Sequence, residues 1–511
     1  MSGKTNLLQY AATVTGSMTV VGYGAIIAWS SPAVPHLESA NSEILITKDQ
    51  SSWIASLSSL GFLIGFVLNP LFVDRFGRKW TLILFSLPQI TSWLLIILAK
   101  SYITLYIARL VGGTGYGGGL CTLTIYFSEI GNKNNRGIFL VLIRLSMGIG
   151  MLFTTVLGAF LTYNQMNFIL LMLPIIFLVL FLLMPDSSYF LEINKRLEEE
   201  EMRKINCVGL EEAETEETRL NFEKNPTFFK EDPENKSSYQ QYLGLEIPKS
   251  EPEFSKSEPK SWKLGKNSFN FRESSLWKLI GNPKNRKALA IVIFLGFTVV
   301  FSGNSILGSF GQKILTHKGA IMDPKNGMVF LSLLNVFACL ISTQIVERVK
   351  RRTLLLYSGI ISSISLGIVG VFFCLDQNEL AAFYFGWVPI FFLSVYDLLI
   401  SAGLSNIFYI YQGELFTNDV KSAAVTVIKL VYIAIIFISI LEFQKMIEIA
   451  GMNGIFWFYG ICCVVGTVLV YFMAPETKGK ALEEIQECLE VKRFFPGIQD
   501  LWRTKEKKVL I

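Results

Sequence analysis

Arg144, Asp397 and Lys429 are ionisable side chains that lie inside otherwise apolar runs of this chain. A charge at mid-bilayer costs about 3 kcal/mol or more, so such a group usually faces a cavity, a partner or a transported solute. Arg144 and Lys429 each fall some seven residues into their runs. The chemistry they offer is recognition: a polar or cationic site for an anionic or large polyhydroxyl ligand. The plainer alternative is that both cations snorkel to the cytoplasmic surface and that Asp397 pairs internally.

Bond-making chemistry has no comparable signature. His36 and His317 lack a partner histidine within helical reach, and the seven cysteines form no CxxC or Cys/His metal spacing. The run Gly112-Gly113-Thr114-Gly115-Tyr116-Gly117-Gly118-Gly119 has a phosphate loop's glycines but neither a preceding strand nor the required lysine. In a membrane helix such small residues let neighbouring helices approach closely. No enzyme activity, cofactor or metal is expected.

The elements that must position the charges are membrane helices. Of 511 residues 51% are hydrophobic and only 17% charged, against roughly a quarter charged in soluble domains. That excludes a soluble enzyme of ordinary composition. The net charge of +5 is no argument for nucleic acid, because the basic residues form short clusters between apolar runs, a topology signal. About twenty apolar residues cross a hydrocarbon layer roughly 30 Å thick. Twelve such runs occur, near 11–30, 53–73, 80–99, 102–127, 137–161 and 165–184, then 288–311, 326–346, 353–374, 381–412, 422–442 and 452–473. The segment before the first run is short and polar, so that run reads as a retained span rather than a signal peptide.

Lys/Arg bias orients the spans. Arg75, Arg78, Lys79, Lys133, Arg136, Arg348, Lys350, Arg351 and Arg352 lie on one side with both long charged segments, which places both termini in the cytoplasm. Lys313, Lys318 and Lys325 fit this count badly, lying in an outer loop. Trp29, Trp53, Trp387 and Trp457 are expected as outer interfacial anchors. The division is a six-helix bundle over 1–185, a charged cytoplasmic loop over 186–287, a second bundle over 288–475 and a cytoplasmic tail over 476–511. The loop reads as short helices and disorder.

The two groups of spans repeat. Asp74-Arg75-Phe76-Gly77-Arg78-Lys79 corresponds to Glu347-Arg348-Val349-Lys350-Arg351-Arg352, Glu129 with Arg136-Gly137 to Glu414 with Lys421-Ser422, and Pro185-Asp186-Ser187 to Pro475-Glu476-Thr477. A duplicated bundle with its cavity between the halves follows.

At these motifs the chain resembles the sugar porter branch of the major facilitator superfamily. Asp74–Lys79 matches D-R-x-G-R-K, Arg109 and Tyr126-Phe127-Ser128-Glu129 match the fourth-span signature, and Pro475–Lys480 matches P-E-T-K-G-K. Trp53-Ile54-Ala55-Ser56-Leu57 and Ala481-Leu482-Glu483-Glu484-Ile485 are most similar to insect facilitated trehalose transporters. The resemblance covers nearly all of the chain outside about 190–285. It implies an all-α, twelve-helix major facilitator fold in the plasma membrane, a small-molecule solute that is a sugar, and alternating access. Asp74, Arg75, Arg78, Glu129 and Arg136 of one half are expected to pair with Glu347, Arg348, Arg351, Glu414 and Lys421 of the other as a gating network that closes the inner mouth in the outward-open state and breaks for inward opening.

The substrate positions depart from the family. The fifth-span glutamine is Arg144, the seventh-span glutamines are Val299 and Val300, and the seventh-span asparagine is Ser305, with Asn304 one place earlier. The tenth-span P-x-P-W is Asn406-Ile407-Phe408-Tyr409, and Asn335 falls where the family's eighth-span asparagine sits. Arg144, Asn304, Ser305, Asn335 and Tyr409 are therefore the expected solute contacts. The first span, around Val20–Trp29, carries none of the acid that proton-coupled members use, which favours a uniporter unless Asp397 substitutes. Two alternatives stay open: a same-fold carrier of a non-sugar or anionic solute, and a transport-inactive sugar sensor.

Overall fold

The computed structural model describes residues 2–40, 42–130, 136–184, 275–317, 320–375, 384–480 and 482–490. Side chains of some helical residues, Arg136 and Glu347 among them, are outside that description. Most of the insert and the tail beyond 490 are outside it too, with the expectations placed there. No strand occurs among the described residues.

The first half consists of α1 (Ser2–Ala28), α2 (Ser30–Glu38), α3 (Lys48–Ile97), α4 (Tyr102–Ile130), α5 (Arg136–Phe160) and α6 (Tyr163–Leu182). After the short α7 (Ser275–Gly281) come α8 (Pro283–Val300), α9 (Asn304–Leu315), α10 (Pro324–Arg348), α11 (Arg351–Leu375) and α12 (Val388–Leu399). A π-helical turn, Ile400–Leu404, leads into α13 (Ser405–Glu414), followed by α14 (Asn418–Met473) and α15 (Leu482–Glu490).

The count of spans follows from length. A helix of 50 residues such as α3 would reach about 75 Å at 1.5 Å per residue, more than twice the hydrocarbon thickness. It turns back at Gly77, whose φ of 79° only glycine adopts without penalty. The 56-residue α14 turns back likewise at Gly451, φ 68°. Nine helical stretches among the described residues are long and apolar enough to cross a membrane, two of them doubled in this way. The twelfth span, α4, is diluted by its glycines and Arg109, but it is 29 residues long. The twelve-span expectation holds. Spans one and seven are each built from two pieces, α1 with α2 and α8 with α9, the latter broken at Gly303, φ 92°.

The glycines of α4 place it against α3, as expected. A Cβ at Gly113 would collide with the Ser58 carbonyl oxygen, and one at Gly61 with that of Leu110. Polar side chains of α3 then satisfy α4: Asn69 donates to the Gly118 carbonyl at 3.0 Å, and Ser92 to that of Ala108 at 2.7 Å.

Arg109 ties three helices of this half. It is fully buried. Its guanidinium donates to the carbonyls of Ile26 (2.7 Å) and Ile54 (2.9 Å) and to the hydroxyls of Ser30 (3.0 Å) and Ser58 (2.9 Å). It also lies 5.0 Å from the ring of Trp29. Trp29 is accordingly no interfacial anchor, in correction of the sequence expectation. It is fully buried and donates to Asn167 at 2.7 Å, whereas Trp53, Trp387 and Trp457 are 42%, 43% and 39% exposed.

Arg109→Leu removes four charge-assisted hydrogen bonds to α1, α2 and α3, each worth about 1.5–3 kcal/mol. Thermal unfolding in detergent is expected to show a large loss of stability. Arg109→Lys is expected to recover little, because one ammonium has three donors and no fork to span three helices.

Candidate functional site

A chain of polar contacts crosses from the first half to the second. Arg144, on α5, donates from Nη1 to Asn406 Oδ1 and from Nη2 to the Ser401 carbonyl, both at 2.5 Å. Its guanidinium carbon lies 5.7 Å from the ring centroid of Tyr409. Ser401 sits in the π-helical turn, where widening by one residue displaces the helix from its straight path. Asn335, on α10, donates from Nδ2 to Ser401 Oγ at 2.8 Å and to both Asp397 carboxylate oxygens at 3.2 Å. Asp397 is 5% exposed. The snorkelling alternative for Arg144 is therefore replaced by a contact between spans five and ten.

Three of the five expected solute contacts, Arg144, Asn335 and Tyr409, are thus brought together. Asn304 and Ser305 stand apart, at the start of α9 just after the Gly303 break, and make no side-chain hydrogen bond among the described residues. Tyr396 supports that break by donating to the Ser302 carbonyl at 2.8 Å. Lys429 reaches across the halves to within 5.6 Å of the Phe66 ring.

At the end that the Lys/Arg count places outside, here called the outer mouth, the halves touch. Lys313 of α9 pairs with Glu38 of α2 at 2.9 Å, and the Gln312 N–H donates to Ser31 Oγ at 3.1 Å. Trp53 packs against Phe437 with ring centroids 6.2 Å apart. One of the outer lysines that fitted the charge count badly therefore has a partner.

At the inner end the described pairs lie within each half; pairing across the halves is the expectation for the outward-open state, and here the halves meet at the opposite end. Arg78 makes a bidentate contact to Glu129, 2.8–3.0 Å, inside the first half. Inside the second, Arg351 Nη2 meets Glu414 at 3.3 Å, and Lys421 donates to the Gly413 carbonyl at 2.8 Å. Asp74 and Arg75 are exposed, and Arg75 lies 5.7 Å from the Phe76 ring. Arg348 is exposed and its carbonyl accepts from Lys478 at 2.6 Å. The side chains of Arg136 and Glu347 lie outside the described residues.

Several participants went unnamed as site residues. Glu476 accepts from the backbone N–H groups of Arg351 (3.1 Å), Arg352 (3.2 Å) and Lys478 (3.1 Å), a staple that its place in Pro-Glu-Thr-Lys hinted at. Glu38, Ser401 and Asn406 carry no pattern of their own. Asn406 was noticed only as a departure from the tenth-span pattern.

Comparison with known proteins adds the following. The family described as "Sugar (and other) transporter" matches residues 11–489. The facilitated trehalose transporter Tret1 of Drosophila virilis is 26% identical over 483 residues, 94% of this chain and 48% of that protein. The Tret1-2 homolog of Drosophila simulans is 26% identical over 479 residues, covering 94% of this chain and 90% of its own length. The chain thus spans about half the length of some curated relatives and most of others. Among solved structures, the inward open conformation of the xylose transporter XylE from E. coli superposes with a TM-score of 0.67 at 15% identity, covering 94% of this chain and 99% of that one.

Glu476→Ala is expected to lower stability by about 2 kcal/mol, because three backbone donors lose a charged acceptor. Thermal unfolding checks this against Glu484→Ala, an exposed position in α15 where no change is expected.

Proposed function

The chain belongs to the sugar (and other) transporter family, and from that premise we propose that it carries a neutral sugar, trehalose or a hexose, across the plasma membrane by facilitated uniport. The observation that carries the reading is the polar chain through Arg144, Asn406, Ser401, Asn335 and Asp397, because it joins the halves where an alternating-access site belongs. It offers amide and guanidinium donors beside carbonyl and carboxylate acceptors, the mixture that adjacent hydroxyls require. Tyr409 adds a ring on which a sugar face can stack. Asn304 and Ser305 extend the proposed contact surface to the break in span seven. The proposed division is two bundles, 1–185 and 288–475, rocking about this site, with both termini in the cytoplasm.

The charged loop-end residues are proposed to act in gating through their own halves. Arg78 with Glu129 and Arg351 with Glu414 hold the inner ends of each bundle in shape. Asp74, Arg75, Arg136, Glu347, Arg348 and Lys421 complete this proposed network.

A second reading, an anionic solute, is favoured by Arg144 and Lys429 projecting into the contact between the halves. Against it stands Asp397, which Asn335 links to Ser401, the residue whose carbonyl accepts from Arg144, so that an acid belongs to the same cluster.

Uptake of labelled trehalose, glucose and glucuronate in cells lacking their own sugar carriers tests these readings. Saturable uptake of a neutral sugar is expected, with Asn335→Ala lowering it about tenfold for the loss of one amide worth about 1.4 kcal/mol. Flux of glucuronate without flux of the neutral sugars would replace the first reading by the second.

A further inference from the structure

Arg144 belongs to the first half, yet the two oxygen acceptors of its guanidinium, Asn406 Oδ1 and the Ser401 carbonyl, belong to the second. We infer that Arg144 is a solute-displaced latch. It holds span five to span ten in the outer-closed arrangement, and a solute presenting two neighbouring acceptor oxygens, as vicinal hydroxyls do, releases the halves by taking over these donors. The identity of the solute rests on the sugar reading above; the latch rests on the geometry alone.

Three features support it. Both contacts are charge-assisted and part-buried, which makes them stronger than exposed neutral hydrogen bonds. The receiving side is held firmly, because Ser401 is itself fixed through its hydroxyl by Asn335, which also grips Asp397. The same arrangement has the outer mouth shut by Glu38 with Lys313 and by Ser31 with Gln312, so the latch and the outer closure occur together. Breaking the latch by exchange offers the guanidinium new acceptors at the moment it leaves the old ones. A loaded carrier then reorients more readily than an empty one. A glutamine at this position has neither the charge nor the fork to hold two acceptors at once.

The test is the distance between spin labels on Ala40→Cys and Ile321→Cys, both exposed beside the outer mouth, in the purified full chain with its native cysteines replaced by serine. Without sugar, a short distance is expected to dominate. Arg144→Gln is expected to raise the ratio of long to short distances about tenfold, the size of one lost charge-assisted bond. Asn406→Ala is expected to shift it the same way from the acceptor side, and serves if Arg144→Gln does not fold. Saturating trehalose or glucose is expected to lengthen the distance without these substitutions and to add little once Arg144→Gln is present. Unchanged distances in both variants overturn the latch, even if sugar alone lengthens them. A shift in the variants with no response to either sugar leaves the latch standing and overturns the sugar assignment.

Discussion

A guanidinium carried into hydrocarbon must find acceptors for its donors, and the two that matter here find them in opposite ways. Arg109 finds all of its acceptors within one half, on α1, α2 and α3, and so fastens the first half into one body. Arg144 finds its acceptors on the far side of the contact between halves. Arg109 is fully buried and Arg144 part-buried, so the desolvation cost falls more heavily on Arg109. The consequences differ. A bond inside a half adds rigidity to a body that must move as a unit, whereas a bond between halves must be broken or exchanged each time the halves part.

The two mouths obey the same distinction. At the outer mouth, Glu38 with Lys313 and Ser31 with Gln312 join α2 to α9, so closure there is a contact between halves. At the inner end, Arg78 with Glu129, Arg351 with Glu414, and Glu476 with three backbone amides lie within halves. The repeated loop motifs thus carry ion pairs within each bundle, and under the proposed rocking of the halves each bundle has its own staple at that edge. Spans one and seven, which carry the outer closure, are the spans built from two pieces, and the break at Gly303 lets α9 lean independently of α8.

Much of the frame was legible along the chain. The twelve apolar runs depend on composition over about twenty residues, and a bilayer responds to that composition directly. The glycines of α4 were equally readable, because small residues in a membrane helix have few other uses. Trp29 was misread because an aromatic residue at an outer helix end is ordinarily an anchor. Its burial depends on Arg109 and Asn167, which lie far away in sequence. The described inner charges pair within halves in this outer-closed arrangement, whereas pairing across halves is the expectation for the outward-open one. Opposite charges at matching loop ends show that pairs exist, but sequence spacing does not say whether a pair closes within a bundle or between two.

The candidate site marks the same boundary. The sequence by itself determined that Arg144, Asp397 and Lys429 are costly in a membrane and need partners, because that cost depends only on residue type and depth. Only the tertiary structure decided which partners they have. Arg144 and Asn406 are 262 residues apart, and Asn335 and Asp397 are 62 apart. A hydrogen bond depends on distance and angle within a few tenths of an ångström. Helix packing and the π-helical turn at Ile400–Leu404 set those quantities, and no count along the chain contains them.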